Sequence, residues 1–125
     1  MIRHILAIDD SAAMREILSA TLTTAGYDVT VAADGDEGLE HALAMAFDLV
    51  LTDQHMPGKT GVDLIAELRT NPAYEATPIL LLTTESGEPF KAAARAAGAT
   101  GWIEKPLDPD MLTELVQTLD APDET

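Results

Sequence analysis

Short apolar runs alternate with longer amphipathic segments from one end of this chain to the other, a pattern that few folds accommodate. The runs are Ile5-Leu6-Ala7-Ile8, Val29-Thr30-Val31, Leu49-Val50-Leu51, Ile79-Leu80-Leu81-Leu82 and Gly101-Trp102-Ile103. Bounded by polar, Gly or Pro residues, they read as buried parallel strands, with the weaker second and fifth at the edges. Between them, Met14, Ile17, Leu18, Leu22 and Ala25 keep the three-four spacing of one apolar face before Gly26 stops the helix. Leu39, Ala42, Leu43 and Ala46 repeat the spacing, as do Gly61, Leu64, Ile65 and Leu68. Phe90, Ala93, Ala94 and Ala97 line one side of an alanine-rich segment that Gly98 ends. Met111, Leu112, Leu115, Val116 and Leu119 form the last helix, with Asp108 as its N-cap and Pro109 as its first residue.

Five strands alternating with five helices predict one α/β domain over residues 1–120, a parallel sheet covered on both faces, and a short polar tail over 121–125. The pattern leaves the strand order open. It does place function, because ligands of open α/β sheets bind at the carboxyl ends of the strands. There the first strand ends in Asp9-Asp10, the third in Asp53 and the fourth in Thr83-Thr84, while the fifth leads to Lys105-Pro106. Three carboxylates so close repel one another unless a cation joins them. Oxygen ligands without thiolates or paired histidines favour a hard ion, and carboxylates completed by water and a phosphate oxygen are the Mg²⁺ pattern.

Charge narrows the partners. Seven Lys and Arg stand against 22 Asp and Glu, a formal net charge of −15, so neither nucleic acid nor an anionic membrane is an expected ligand. With no cysteine, disulfides and thiol nucleophiles are excluded. The first apolar run is far too short to span a bilayer and lacks a signal-peptide layout, so a soluble, cytoplasmic protein is expected.

The ordered set Asp9-Asp10, Asp53, Thr83 and Lys105-Pro106 resembles the response-regulator receiver family over essentially the whole chain. The stretch from Asp53 through His55, Met56, Pro57 and Gly58 to Gly61 resembles that family's loop after its phosphorylated aspartate. The resemblance implies a flavodoxin-like sheet of order 2-1-3-4-5. It implies Asp53 as phosphoacceptor, with Mg²⁺ held by Asp9, Asp10, Asp53 and the main-chain carbonyl of His55. Lys105 and Thr83 would bind the phosphoryl oxygens, and the Lys105-Pro106 peptide is expected to be cis. In the family a hydroxyl at the Thr83 position moves toward the phosphate and an aromatic on the fifth strand swings in behind it. That aromatic is Trp102 here, where Tyr or Phe is usual. By the same resemblance His55 and Glu85 tune self-dephosphorylation, and Lys91, Arg95 and Trp102 lie on the output face.

Other motifs fall away. Gly58-Lys59-Thr60 lacks the earlier glycine of a phosphate-binding loop, since Asp53 stands there. His4, His41 and His55 share no metal-ligand spacing. The function expected from the resemblance is that of a stand-alone, monomeric, CheY-like chemotaxis regulator. It would be phosphorylated by a CheA-like histidine kinase and bind a flagellar motor switch protein. The alternative is a relay or sink that exchanges phosphate with a histidine phosphotransfer protein. Self-catalysed phosphorylation and dephosphorylation are expected rather than turnover of external substrates. A phosphatase-like enzyme would need a substrate pocket that is not visible, and a phosphorylation-independent binding module would have no use for these residues.

Overall fold

A computed structural model describes residues 1–120; the polar tail expected over 121–125 lies outside the described residues. The elements alternate as expected: β1 (His4–Ile8), α1 (Ala12–Thr24), β2 (Asp28–Ala32), α2 (Gly35–Ala44), β3 (Leu49–Asp53), α3 (Gly61–Leu68), β4 (Ile79–Thr83), α4 (Glu88–Ala97), β5 (Gly101–Glu104) and α5 (Pro109–Asp120). A 3-10 turn at Pro72–Tyr74 precedes β4. All strand pairs are parallel and the order is β2-β1-β3-β4-β5, so the two weaker runs do form the edges.

The pleat splits the core into two layers. Leu6, Ile8, Val50, Ile79 and Leu81 face one way, against Ala42 of α2, Leu64, Ile65 and Leu68 of α3 and Ala94 of α4. Ile5, Ala7, Leu49, Leu51, Leu80 and Leu82 face the other, against Leu18 and Leu22 of α1 and Leu112 and Val116 of α5. Both α1 and α4 end before a glycine in the left-handed region, Gly26 at φ 103° and Gly98 at φ 102°, which only glycine adopts without strain. Asp108 caps α5 as expected, its Oδ1 accepting from the Asp110 amide at 3.0 Å.

Four helix faces differ from the sequence pattern, that of α5 in Met111, which is 65% exposed while Leu112 and Val116 are buried. Leu43 is 67% exposed and Ala46 lies beyond the end of α2, because Met45 turns extended (φ −147°, ψ 146°). Gly38 explains the rotation: a Cβ there would stand 2.5 Å from Ile8 Cδ1, so glycine lets α2 press Gly35, Gly38 and Ala42 onto the sheet and turns Leu43 outward. In α1, Leu18 and Leu22 carry the packing and Ile17 is 43% exposed. In α4, Ala94 is buried, and Ala93, about 100° round the helix from it, is exposed.

Candidate functional site

Strand pairing brings the sequence-predicted residues to one edge. Asp53 is the last residue of β3, Asp9 follows β1, Thr83 closes β4 and Lys105 follows β5. Carboxylate oxygens of Asp9, Asp10 and Asp53 all lie within 4.8 Å of one another. Asp9 is fully buried and Asp53 is 2% exposed, whereas Asp10 is open to solvent. Lys105 Nζ donates to Asp53 Oδ1 at 2.9 Å and lies 3.7 Å from Asp9 Oδ2. The Lys105-Pro106 peptide is cis.

Each acidic side chain is held by local structure. The Ser11 amide donates to Asp9 Oδ1 at 2.9 Å, and Ser11 Oγ in turn caps α1 by accepting from the Met14 amide. Asp9 Oδ2 has no hydrogen-bond partner, although it is buried. Burial, and then the charges of Asp53 and Asp10, push the Asp9 carboxyl above its ordinary range, against the downward pull of the Ser11 amide and Lys105. Burial opposes the Lys105 charge, but the hydrogen bond to Asp53 and the attraction of all three carboxylates outweigh it and hold that ammonium above its usual pKa. An orphaned, buried carboxylate oxygen beside two further carboxylates, with oxygen donors only, fits a hard divalent cation.

Burial of the Asp9 charge, and then its repulsion by Asp53 and Asp10, cost stability while no cation is bound. Asp9→Asn keeps the acceptor for Ser11 and removes the buried charge. In chelator at neutral pH it is expected to raise stability by about 1 kcal/mol, read from the urea midpoint. An unchanged or lower midpoint would show that the charges are not in conflict.

Thr83 is fully buried, and its Oγ1 accepts from the Glu85 amide at 2.9 Å, which leaves its own proton to donate. Leu81 pairs with Trp102, and Thr83 lies two residues beyond Leu81, so Thr83 and Trp102 share one face of the sheet. Trp102 is half-buried under α4, with Lys91 Nζ 5.8 Å and Arg95 Cζ 5.4 Å from the ring centroid. Neither cation has a carboxylate ion-pair partner among the described residues. The pair expected on the outer side of α4 is therefore set against the indole. His55 and Glu85 face each other at the mouth of the cleft, Nε2 to Oε2 3.5 Å, and both are exposed.

The sequence pattern missed several residues that shape the cleft. Gln54, next to the central aspartate, accepts from the Val62 amide at 2.9 Å through Oε1 and fastens the start of α3. Lys59 reaches Glu67 at 2.5 Å and Asp36 at 3.4 Å, bracing the loop after β3 against α2 and α3. Arg15 donates to the main-chain carbonyl of Asp9 at 2.7 Å. A lone cation one helical turn after Ser11 was the only signal for the last of these.

A doubly wound sheet of order 2-1-3-4-5 with an acidic cleft at its carboxyl edge, closed by one lysine, defines a flavodoxin-like domain with a cation-ready site. Residues 5–117 match the family model described as the response regulator receiver domain, and the chain belongs to that family. It is 38% identical to the chemotaxis protein CheY1 of Helicobacter pylori over 117 residues, 92% of this chain and 94% of that protein. It is 34% identical to the transcriptional regulatory protein FixJ of Bradyrhizobium diazoefficiens over 115 residues, but spans only 55% of that protein's length. Among solved structures, a response regulator protein from Burkholderia multivorans is 65% identical, with a TM-score of 0.86 and full coverage of both chains. The receiver domain of the sensor histidine kinase PA1611 of Pseudomonas aeruginosa, 25% identical with a TM-score of 0.85 over 94% of this chain and 97% of that one, carries a magnesium ion in its active-site cleft. No helix among the described residues is long and apolar enough to cross a membrane.

Proposed function

We propose that this domain is a phosphorylation switch that accepts a phosphoryl group on Asp53 from a histidine kinase and signals by phosphorylation-dependent protein binding, in chemotaxis. The observation that carries this reading is Asp53 itself: a carboxylate 2% exposed at the end of β3, with one oxygen held by Lys105 at 2.9 Å. Lys105 engages Oδ1, so Oδ2 is the oxygen that attacks phosphorus. The phosphorus–nitrogen bond of the donor phosphohistidine breaks as the new phosphorus–oxygen bond forms, and the imidazole leaves with the electron pair. Asp9, Asp10, Asp53 and the main-chain carbonyl of His55 would hold Mg²⁺, which neutralises phosphoryl charge and orients the oxygens for in-line transfer.

The chain's own residues do the rest. Lys105 pairs with a phosphoryl oxygen as a point charge once Asp53 carries the acyl phosphate. Thr83 donates its free hydroxyl proton to another. That movement vacates space on the Trp102 side of the sheet, and an inward swing of the indole gives up the contacts with Lys91 and Arg95. His55 and Glu85, paired across the mouth, set the access of water and so the lifetime of the acyl phosphate. The domain hydrolyses only its own phosphoryl group.

The output face lies at α4, β5 and α5. A groove of about 340 Å³ there is lined by Trp102, Ile103, Pro106, Met111, Leu112 and Leu115 together with the carboxylates Glu104 and Asp108, and its Trp102 adjoins Lys91 and Arg95 of α4. The apolar lining suits the apolar face of an amphipathic segment of a motor switch protein, whose acidic residues would meet Lys91 and Arg95 rather than Glu104 and Asp108. Similarity to a chemotaxis protein over nearly its whole length supports this reading, and similarity to part of a transcriptional regulator makes a relay or an output domain the competitor.

Trp102 is the only tryptophan, so its emission reports the switch. Mg²⁺ followed by acetyl phosphate is expected to shift its emission in the wild type and not in Asp53→Asn. Capture of a motor switch peptide should strengthen on phosphorylation. Return of the phosphoryl group to a histidine phosphotransfer protein, with no such capture, would instead assign the relay role.

A further inference from the structure

Arg15 is a cation without an ion-pair partner among the described residues, in a chain that carries 22 carboxylates. Half-buried on the first turns of α1, it donates from Nη1 to the main-chain carbonyl of Asp9 at 2.7 Å. That carbonyl lies where β1 leaves the sheet. The Asp9 amide makes the last bond on this side, to the Ala32 carbonyl at 3.0 Å, and the chain then turns into the Asp10-Ser11 corner. A buried carbonyl must find a donor, and here a side chain supplies it. The result is a residue gripped at three points. Its amide is held by Ala32, its Oδ1 by the Ser11 amide and its carbonyl by Arg15, while Oδ2 alone has no hydrogen bond and lies 3.7 Å from Lys105 Nζ.

We propose that Arg15 is a positioning residue of the acidic site: by fixing the Asp9 peptide carbonyl it sets the turn that presents Asp9 and Asp10 together to a divalent cation, without touching the ion. The inference rests on the reading of the cleft as an Mg²⁺ site. Mg²⁺ demands near-ideal octahedral geometry, so a small rotation of the Asp9-Asp10 peptide is felt as lost affinity. Partners one layer out from the ligands commonly act with this leverage.

Charge and positioning predict opposite signs. A guanidinium near the cleft repels a divalent cation, so removing it should tighten Mg²⁺ binding if charge were its only influence. Removing a support should weaken binding. The test is calorimetric titration of Mg²⁺ into the full wild-type chain, Arg15→Met and Arg15→Lys, with thermal melts of each in chelator. Arg15→Met is expected to weaken Mg²⁺ binding roughly tenfold while still melting cooperatively without metal. Arg15→Lys, which keeps the charge and a single donor, is expected to fall between the two.

Arg15→Met binding as tightly as wild type, or more tightly, would overturn the role of Arg15 while leaving the metal site standing. If Arg15→Met does not fold, Arg15→Lys carries the comparison, and an affinity equal to that of wild type overturns the role. A wild-type chain that takes up no Mg²⁺ would overturn both this inference and the phosphorylation reading beneath it.

Discussion

Gly61→Ala is expected to cost about 3 kcal/mol of folding stability, a large part of what a domain of this size has. A Cβ at that position would stand 2.5 Å from the main-chain oxygen of Asp53, 2.6 Å from Leu81 Cδ2 and 3.1 Å from Gln54 Cα. Two of these three are backbone atoms at the end of β3, and the third belongs to a fully buried leucine. The two backbone atoms cannot retreat without moving the first turn of α3 away from the sheet, and that would also break the hydrogen bond from the Gly61 amide to the Gln54 carbonyl at 3.1 Å. Gly38 provides the contrast. Its added Cβ would meet the tip of the Ile8 side chain at 2.5 Å, a group that can rotate, so Gly38→Ala should cost less. Urea denaturation of both variants against wild type measures the difference. A loss at Gly61 smaller than at Gly38 would mean that the β3–α3 approach is softer than its contacts imply.

Removing the Arg69 guanidinium should cost a similar amount, about 3 kcal/mol, because it leaves several main-chain acceptors without their donor. Arg69 donates to the carbonyls of Gly98 at 2.9 Å, Tyr74 at 2.5 Å and Thr77 at 2.7 Å, and to Thr100 Oγ1 at 3.3 Å. One planar fork thus ties the end of α3 to the 3-10 turn, the approach to β4, the end of α4 and the start of β5. Burial lowers its pKa from the ordinary arginine value, but it stays charged. Arg69→Lys should recover only part of the loss, since an ammonium cannot span the same set of carbonyls. The functional consequence is local. Gly98 and Thr100 flank the turn between α4 and β5, so Arg69→Ala should also loosen the placement of Lys91 and Arg95 over Trp102, visible as altered tryptophan emission. Full recovery by lysine would show that charge, not the fork, does the holding.

What could be read in the sequence and what could not divides along a physical line. Strands announced themselves as continuous apolar runs, and their polar last residues announced the cleft: Asp9, Asp10, Asp53, Thr83 and Lys105 needed only the rule that parallel strand ends gather at one edge. Strand order came from the family resemblance, because apolar runs do not say which neighbours they choose. Helix faces were legible to the extent that spacing decides them. They failed at Leu43 because the inward face of α2 is set by the absence of a side chain at Gly38, which a count of apolar residues passes over. Arg69, Tyr74 and Arg15 were invisible for a common reason. Each satisfies main-chain carbonyls, Tyr74 those of Ala42 and Met45 at 2.7 and 3.0 Å, and which carbonyls lack a partner is known only once the chain is folded. The placement of Lys91 and Arg95 against the Trp102 indole lay between these cases. Lys91 and Arg95 were legible as a pair four apart, but that they flank Trp102 depends on how α4 lies over β5.

Phosphorylation of Asp53 is tested by the intact mass of the chain after exposure to acetyl phosphate with Mg²⁺, followed by peptide mapping. A single added phosphoryl group is expected, on Asp53, absent in chelator and absent from Asp53→Asn. An unmodified chain, or a phosphoryl group mapped to any other residue, would contradict it.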